Sequence, residues 1–281
     1  MKRLSATDAD IKRDNLAQEL DRWYKKIDRP EFIPNDPVQF PRRYAKRADI
    51  EIAAFLAATI AWGRRDLILR SAERMFALMG PSPADFVMSG NYRKLKDKCV
   101  HRTFFEDDLK YFCRGFKACY AKYGSLEKLF ATAIYGAAIT VGARGIDCGA
   151  LNRAGSIWEG IALFRETMAA ANGGRYTKHI ANPGESSGAG RNESPGSACK
   201  RINLALRWLV REGPVDLGLW KHISPAALYI PLDVHVAHTA RRLGLLERKS
   251  NDKKAVIALT EKLREFCPQD PVKYDFALFS M

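Results

Sequence analysis

The amino-acid sequence predicts an all-α fold. Apolar residues recur at helical spacing over most of the 281 positions. Alternating Val-rich strand patterns are almost absent. Gly and Pro punctuate the helical segments, as at Gly80-Pro81 and Gly213-Pro214.

Residues 8–27 read as a charged amphipathic helix, and 28–47 as a connector rich in Pro and Arg. The most apolar helix is expected over 49–62, with an Ala-rich face suited to close packing at the centre of the fold. Residues 64–79 form another helix, and Ser82-Pro83-Ala84-Asp85 opens a short one. Helices follow over 105–123, 125–135 and 158–171. The Gly-rich stretch 136–156 suggests a short irregular turn. Residues 182–196, built from Gly, Ser, Pro and Asn, read as a mobile loop. A helix starting near Ser197 or Ala198 is amphipathic with one basic edge, and Arg211-Glu212-Gly213-Pro214 ends it. A second loop over 215–229 returns the chain to a helix that begins at Asp233 and stops at Gly244.

The net charge of +14, from 46 basic and 32 acidic residues, favours an anionic partner. Nucleic acid leads and an anionic membrane surface comes next. The N-terminus lacks a signal-peptide pattern, and no apolar run approaches the ~18 residues of a membrane span. Six scattered cysteines form no Cys-x-x-Cys pair, which points to a cytoplasmic protein without structural disulfides, zinc or an iron–sulfur cluster. No cofactor and no metal are expected, and a monomer is.

Ile230-Pro231-Leu232-Asp233-Val234-His235-Val236 is the most informative stretch. Asp233 can cap the helix it opens, and the first-turn N–H groups stabilise a carboxylate there. Lys200 stands 33 positions earlier, near the start of the preceding helix. A Lys and an Asp at the mouths of neighbouring helices form an amine nucleophile and its partner, provided the long loop brings the chain back. Trp62, followed by Arg64 and Arg65, could face a flipped base or a phosphate. His235 is read as packing beside Asp233. Arg241, Arg242, Arg248, Lys249, Lys253 and Lys254 form a basic run, which would supply phosphate contacts if the protein binds DNA.

Pro-Leu-Asp-Val-His-Val followed by Arg-Arg-Leu-Gly-Leu (231–236 and 241–245) resembles the signature of the helix-hairpin-helix base-excision DNA glycosylases, the superfamily of endonuclease III. The resemblance covers about residues 196–246. It implies a two-lobed helical fold over 1–281, with a modified hairpin and Asp-bearing helix at 197–246. It carries the catalytic carboxylate onto Asp233 and the Schiff-base amine of strand-cleaving members onto Lys200. Duplex DNA would be the partner, contacted by Arg64, Arg65, Arg201, Arg241, Arg242, Arg248 and Lys249, with Trp62 and His235 beside the base. The implied activity is removal of a damaged base, such as an oxidised purine. The alternative is a non-catalytic nucleic-acid-binding protein that keeps the fold.

The chain lacks a Leu-Pro-Gly-Val-Gly hairpin, and its Lys-to-Asp gap is longer than the usual one. Both features are similar to the archaeal 8-oxoguanine glycosylase branch. Over nearly its full length the chain also resembles a bacterial family of unknown function. The tracts that carry this include Phe32-Ile33-Pro34-Asn35-Asp36-Pro37, Lys178-His179-Ile180-Ala181-Asn182-Pro183, Gly196-Ser197-Ala198-Cys199-Lys200-Arg201 and Asp270-Pro271-Val272-Lys273-Tyr274-Asp275. Against that family, residues 184–195 read as a flexible insertion, and the superfamily's last helix would continue beyond Met281.

Overall fold

A computed structural model describes residues 8–136, 141–142, 145–146, 155–184 and 196–281. Eleven α-helices dominate the described residues: α1 (Asp8–Ile27), α2 (Arg47–Thr59), α3 (Arg65–Met79), α4 (Pro83–Ser89), α5 (Glu106–Tyr123), α6 (Leu126–Tyr135), α7 (Ile157–Ala170), α8 (Lys200–Val210), α9 (Val234–Arg242), α10 (Lys253–Phe266) and α11 (Asp275–Ser280). The all-α expectation holds. Only two minute antiparallel ribbons interrupt it, Cys99–His101 with Phe104–Phe105 and Val141–Gly142 with Gly145–Ile146. No described helix is long and apolar enough to cross a membrane.

The helix α2 is buried on every side from Asp49 to Thr59; that stretch is largely apolar, and its two charged residues, Asp49 and Glu51, accept buried hydrogen bonds through their carboxylates. It packs against α8, α4 and the Pro-rich connector. That connector is a chain of three 3₁₀ turns, each opened by a proline whose fixed φ suits the first helical position. The helices α5, α6 and α7 pack on one another. The two ends of the described chain meet, because α1 packs on α11 and α11 on α9. One hydrophobic core runs from Leu20 to Leu278.

One helix boundary differs from the sequence expectation, and two helices were not expected. The apolar helix ends at Thr59, not at Trp62, because the chain turns there and Gly63 takes φ +96°. Trp62 therefore stands on a connector, where His101 Nε2 meets its carbonyl oxygen at 2.9 Å. Lys253 and Lys254, the end of the basic run, begin α10, a helix that the sequence reading did not place and that Asp252 caps. The helix at 275–280 was also missed, being too short to show a full apolar period. The expected insertion at 184–195 lies outside the described residues except for Gly184, and most of the 136–156 stretch lies outside them as well.

Candidate active site

Lys200 is the first residue of α8. The segment leading to it is fastened on both sides. Ser197 N donates to Asn182 O at 2.8 Å, and Lys253 N donates to Gly196 O at 3.1 Å. Cys199, the cap residue, adopts the left-handed region at φ +47°, and no side chain caps this helix start. Its orphan N–H groups thus leave partial positive charge beside Lys200.

The long loop after α8 doubles back at once. Leu217 N bonds Trp208 O at 2.7 Å, and Trp220 N bonds Leu209 O at 2.8 Å. Buried carboxylates on α2 and α6 then seize the returning chain. Trp220 Nε1 donates to Glu51 Oε1 at 2.9 Å, and His222 N donates to Glu127 Oε1 at 2.7 Å. Farther on, Ile230 N donates to Thr260 Oγ1 at 3.2 Å. This path brings Asp233 to the start of α8.

There the two oxygens of Asp233 divide their work. Oδ1 accepts the Val236 N–H at 2.8 Å and caps α9. Oδ2 lies 3.2 Å from Lys200 Nζ. The Asp233 side chain is 15% exposed and that of Lys200 32%, so the pair sits at a mouth and not on open surface.

The pair borders a cavity of about 420 Å³. Phe32, Trp62, Phe276 and Phe279 supply aromatic surface, and Asp36, Asp233 and Asp275 supply carboxylates. Its volume falls within the ordinary range for small-molecule sites. Arg65 lies 5.3 Å over the Phe279 ring, at the cavity's edge.

Beneath the pair runs a buried ion network that spacing did not reveal. Arg207 contacts Asp275 and also Asp216, the latter at 3.3 Å. Arg211 reaches Asp216 at 2.5 Å, Asp270 at 2.8 Å and Asp28 at 3.7 Å. Arg207 and Arg211, toward the end of α8, are turned inward and almost fully covered, whereas Lys200 and Arg201 at its start keep part of their surface exposed. Burial pushes Asp275 up to about 6, Arg207 opposes that shift, and the neighbouring Asp233 adds to it. Asp36 is raised by burial as well, against the Val38 N–H that it accepts and the charge of Arg207. Arg207 itself is raised, because Asp216 and Asp275 outweigh the cost of its burial. The only sequence hint was an i, i+4 Arg pair on a helix whose remaining residues are largely apolar.

A second cavity of about 410 Å³ lies on the other side of Lys200. It shares Ala61, Trp62 and Lys200 with the first, and adds Lys178, His179, Ser197 and Arg201.

The other sequence-predicted residues separate into two groups. Trp62, Arg65 and His235 line the first cavity with Lys200 and Asp233, and Arg201 lines the second. Arg64 points outward and is paired with Asp66 at 3.1 Å. Arg241, Arg242, Arg248 and Lys249 line neither cavity. Arg241 donates to the carbonyl oxygens of Arg248 and Lys249, and Arg242 to that of Met281. Arg248 is paired with Asp252. Arg241 lies roughly 12 Å along the axis of α9 from Asp233, at a rise of ~1.5 Å per residue. Among the described residues, no group of three His, Cys, Asp or Glu side chains is placed to hold a metal ion.

A family described as "Protein of unknown function (DUF2400)" matches residues 36–281. The chain belongs to this family. Within the DUF2400 match lie every candidate site residue, both cavities apart from Phe32, and the ion network apart from Asp28. No curated protein and no solved structure matches the chain.

Proposed function

We propose that this DUF2400 protein is a DNA glycosylase with an associated lyase step, in which Lys200 is the amine nucleophile and Asp233 its partner. One observation carries the reading: Lys200 Nζ and Asp233 Oδ2 lie 3.2 Å apart at the mouth of an aromatic cavity. Net charge +14 supports a polyanionic substrate. The cavity has room for a flipped base, with Trp62 and the Phe rings as stacking surface. The fold reading is of the two-lobed glycosylase kind, supported by the helical architecture and by the helix starts that bear Lys200 and Asp233.

The chemistry begins with an uncharged Lys200 amine, its proton passed to water, so that Asp233 stays ionised for the steps that follow. The amine attacks C1′ of the target sugar, the new N–C1′ bond forms, and the C1′–N bond to the base breaks. The base leaves with the bonding pair and takes up a proton. Asp233 stabilises the positive charge that develops on the sugar and accepts the proton released from the Lys200 nitrogen. Rupture of C1′–O4′ then yields a protonated imine, and O4′ is protonated.

Borohydride trapping on duplexes bearing a panel of damaged bases tests the reading. A covalent protein–DNA adduct is expected with the wild type and not with Lys200→Ala. Absence of any adduct or base release with every lesion, alongside salt-sensitive DNA binding, would leave a non-catalytic binding protein instead.

A further inference from the structure

The two cavities have opposite character. The first carries three carboxylates, Asp36, Asp233 and Asp275, whereas the second has no acidic residue in its lining. Its charged walls are Lys178, Lys200 and Arg201. Ser197 and Thr103 add polar surface. The one thiol, Cys199, is pushed up to about 12 by burial and carries no negative charge at neutral pH.

Arg201 is the decisive member. Its side chain is partly buried, donates through Nη1 to Thr59 O at 3.0 Å, and lies 5.1 Å over the Trp62 ring. Among the described residues it has no carboxylate partner. Burial without a counter-charge lowers its pKa. The contrast with Arg207 and Arg211, each matched to two or more carboxylates, is plain. A buried cation left without a counter-ion is costly, and an arriving anion recovers that cost. Arg also offers several further donors in a rigid fork that suits phosphate oxygens. Asp108, an acid near this side of the fold, lies 3.4 Å from His179, accepts the Phe105 N–H at 2.9 Å and also feels the charge of Lys178, but does not line the cavity.

We propose that the second cavity is an anion site that takes a phosphate group, held by Arg201 and Lys178 with Lys200 at its rim. Lys200, Trp62 and Ala61 belong to both cavities. One nucleotide therefore spans them, with its base in the aromatic cavity, its phosphate against Arg201 and its sugar at Lys200. The anion site stands on the unpaired Arg201. Its assignment to a nucleic-acid phosphate rests on the glycosylase reading.

Two arms separate these claims. In the first, inorganic phosphate is titrated against chloride at matched ionic strength while the melting temperature is followed. Phosphate is expected to raise the wild-type value by at least 2 °C beyond chloride, on the order of what ligand saturation at a few Kd gives. The extra shift is expected to vanish in Arg201→Gln and in Lys178→Ala. Lys178 is exposed, so its variant tests the site even if Arg201→Gln folds poorly. No phosphate-specific shift, or one that survives in both variants, overturns the anion site.

In the second arm, duplexes carry an abasic analogue and one uncharged methylphosphonate at each linkage in turn. At one linkage beside the analogue, wild-type affinity is expected to fall, while Lys178→Ala, already weaker, loses no more. The salt slope of Lys178→Ala is expected to drop by about one. Phosphate binding in the first arm without any linkage-specific loss overturns the nucleic-acid source alone. Failure of the wild type to bind DNA overturns the glycosylase reading, while the first arm still decides the anion site.

Discussion

Lys200 Nζ lies 3.2 Å from Asp233 Oδ2, although 33 positions separate the two residues in the chain. The same carboxylate caps α9 through its other oxygen. Capping and pairing therefore coexist on one side chain, and substitutions can separate them. Asp233→Asn keeps an oxygen for the Val236 N–H, since Asn caps about as well as Asp. Its stability is expected to stay within ~0.5 kcal/mol of wild type, the scale of a partly exposed ion pair. Base release in single-turnover assays is expected to fall by roughly 100-fold or more, as for other lost electrostatic stabilisers. Asp233→Ala should in addition cost about 1 kcal/mol in urea unfolding. Undiminished base release in Asp233→Asn would reduce Asp233 to a cap.

Arg207 holds Asp216 and Asp275 out of water. Arg207→Met leaves two buried carboxylates short of a partner, and a loss of about 3–5 kcal/mol is expected. Adding Asp275→Asn should restore part of it, giving a coupling of about 0.5–3 kcal/mol in a double-mutant cycle read by urea unfolding. Additive losses would show that the network is not one unit.

Asp275 also sets a pH dependence. Its folded-state pKa, about 6, lies above the unfolded value of 3.8. The folded chain therefore holds this proton more tightly than the unfolded one. The resulting stability is complete below the unfolded value and is lost as pH rises through about 6. Asp275→Asn lacks this proton. Relative to wild type it should gain stability between pH 4 and pH 7, on the order of 2–3 kcal/mol. Urea midpoints across that range check the sign.

Trp62 walls both cavities. Trp62→Ala is expected to weaken binding of a lesion-bearing duplex by about 1–3 kcal/mol, the worth of one stacked base. Trp62→Phe should retain most of the affinity. Fluorescence anisotropy against an abasic-analogue duplex provides the control, because a missing base leaves no stack to lose.

Gly196 opens the segment that carries Lys200. It takes φ +75°, and a Cβ there would collide with the Pro183 carbonyl oxygen. Gly196→Ala is expected to cost more than about 1 kcal/mol, from left-handed strain and overpacking together. It should also lower the yield of borohydride adduct by displacing the start of α8. Melting temperature and adduct yield measured on the same preparation test both effects.

Local pattern made much of this legible. Helical periodicity located α1, α3, α5, α6, α7 and α8 to within a few residues, because burying one face imposes a repeat that neighbours in the chain display. The cap at Asp233 was readable for the same reason, since it concerns a donor only three residues away. The site's depth was not readable. Arg207 and Asp275 are 68 positions apart, and Trp220 reaches Glu51 across 169. An Arg on a helix looks alike in sequence whether it faces water or three carboxylates. Only packing decides that Arg207 and Arg211 turn inward, that Arg241 ties down its own loop, and that Arg201 is left partly buried without a carboxylate among the described residues. Desolvation is the physical reason. The sequence by itself determined most of the helices, though not α10 and α11, and which residue caps α9. The tertiary structure decided which charges leave water, and with that where Lys200 meets Asp233.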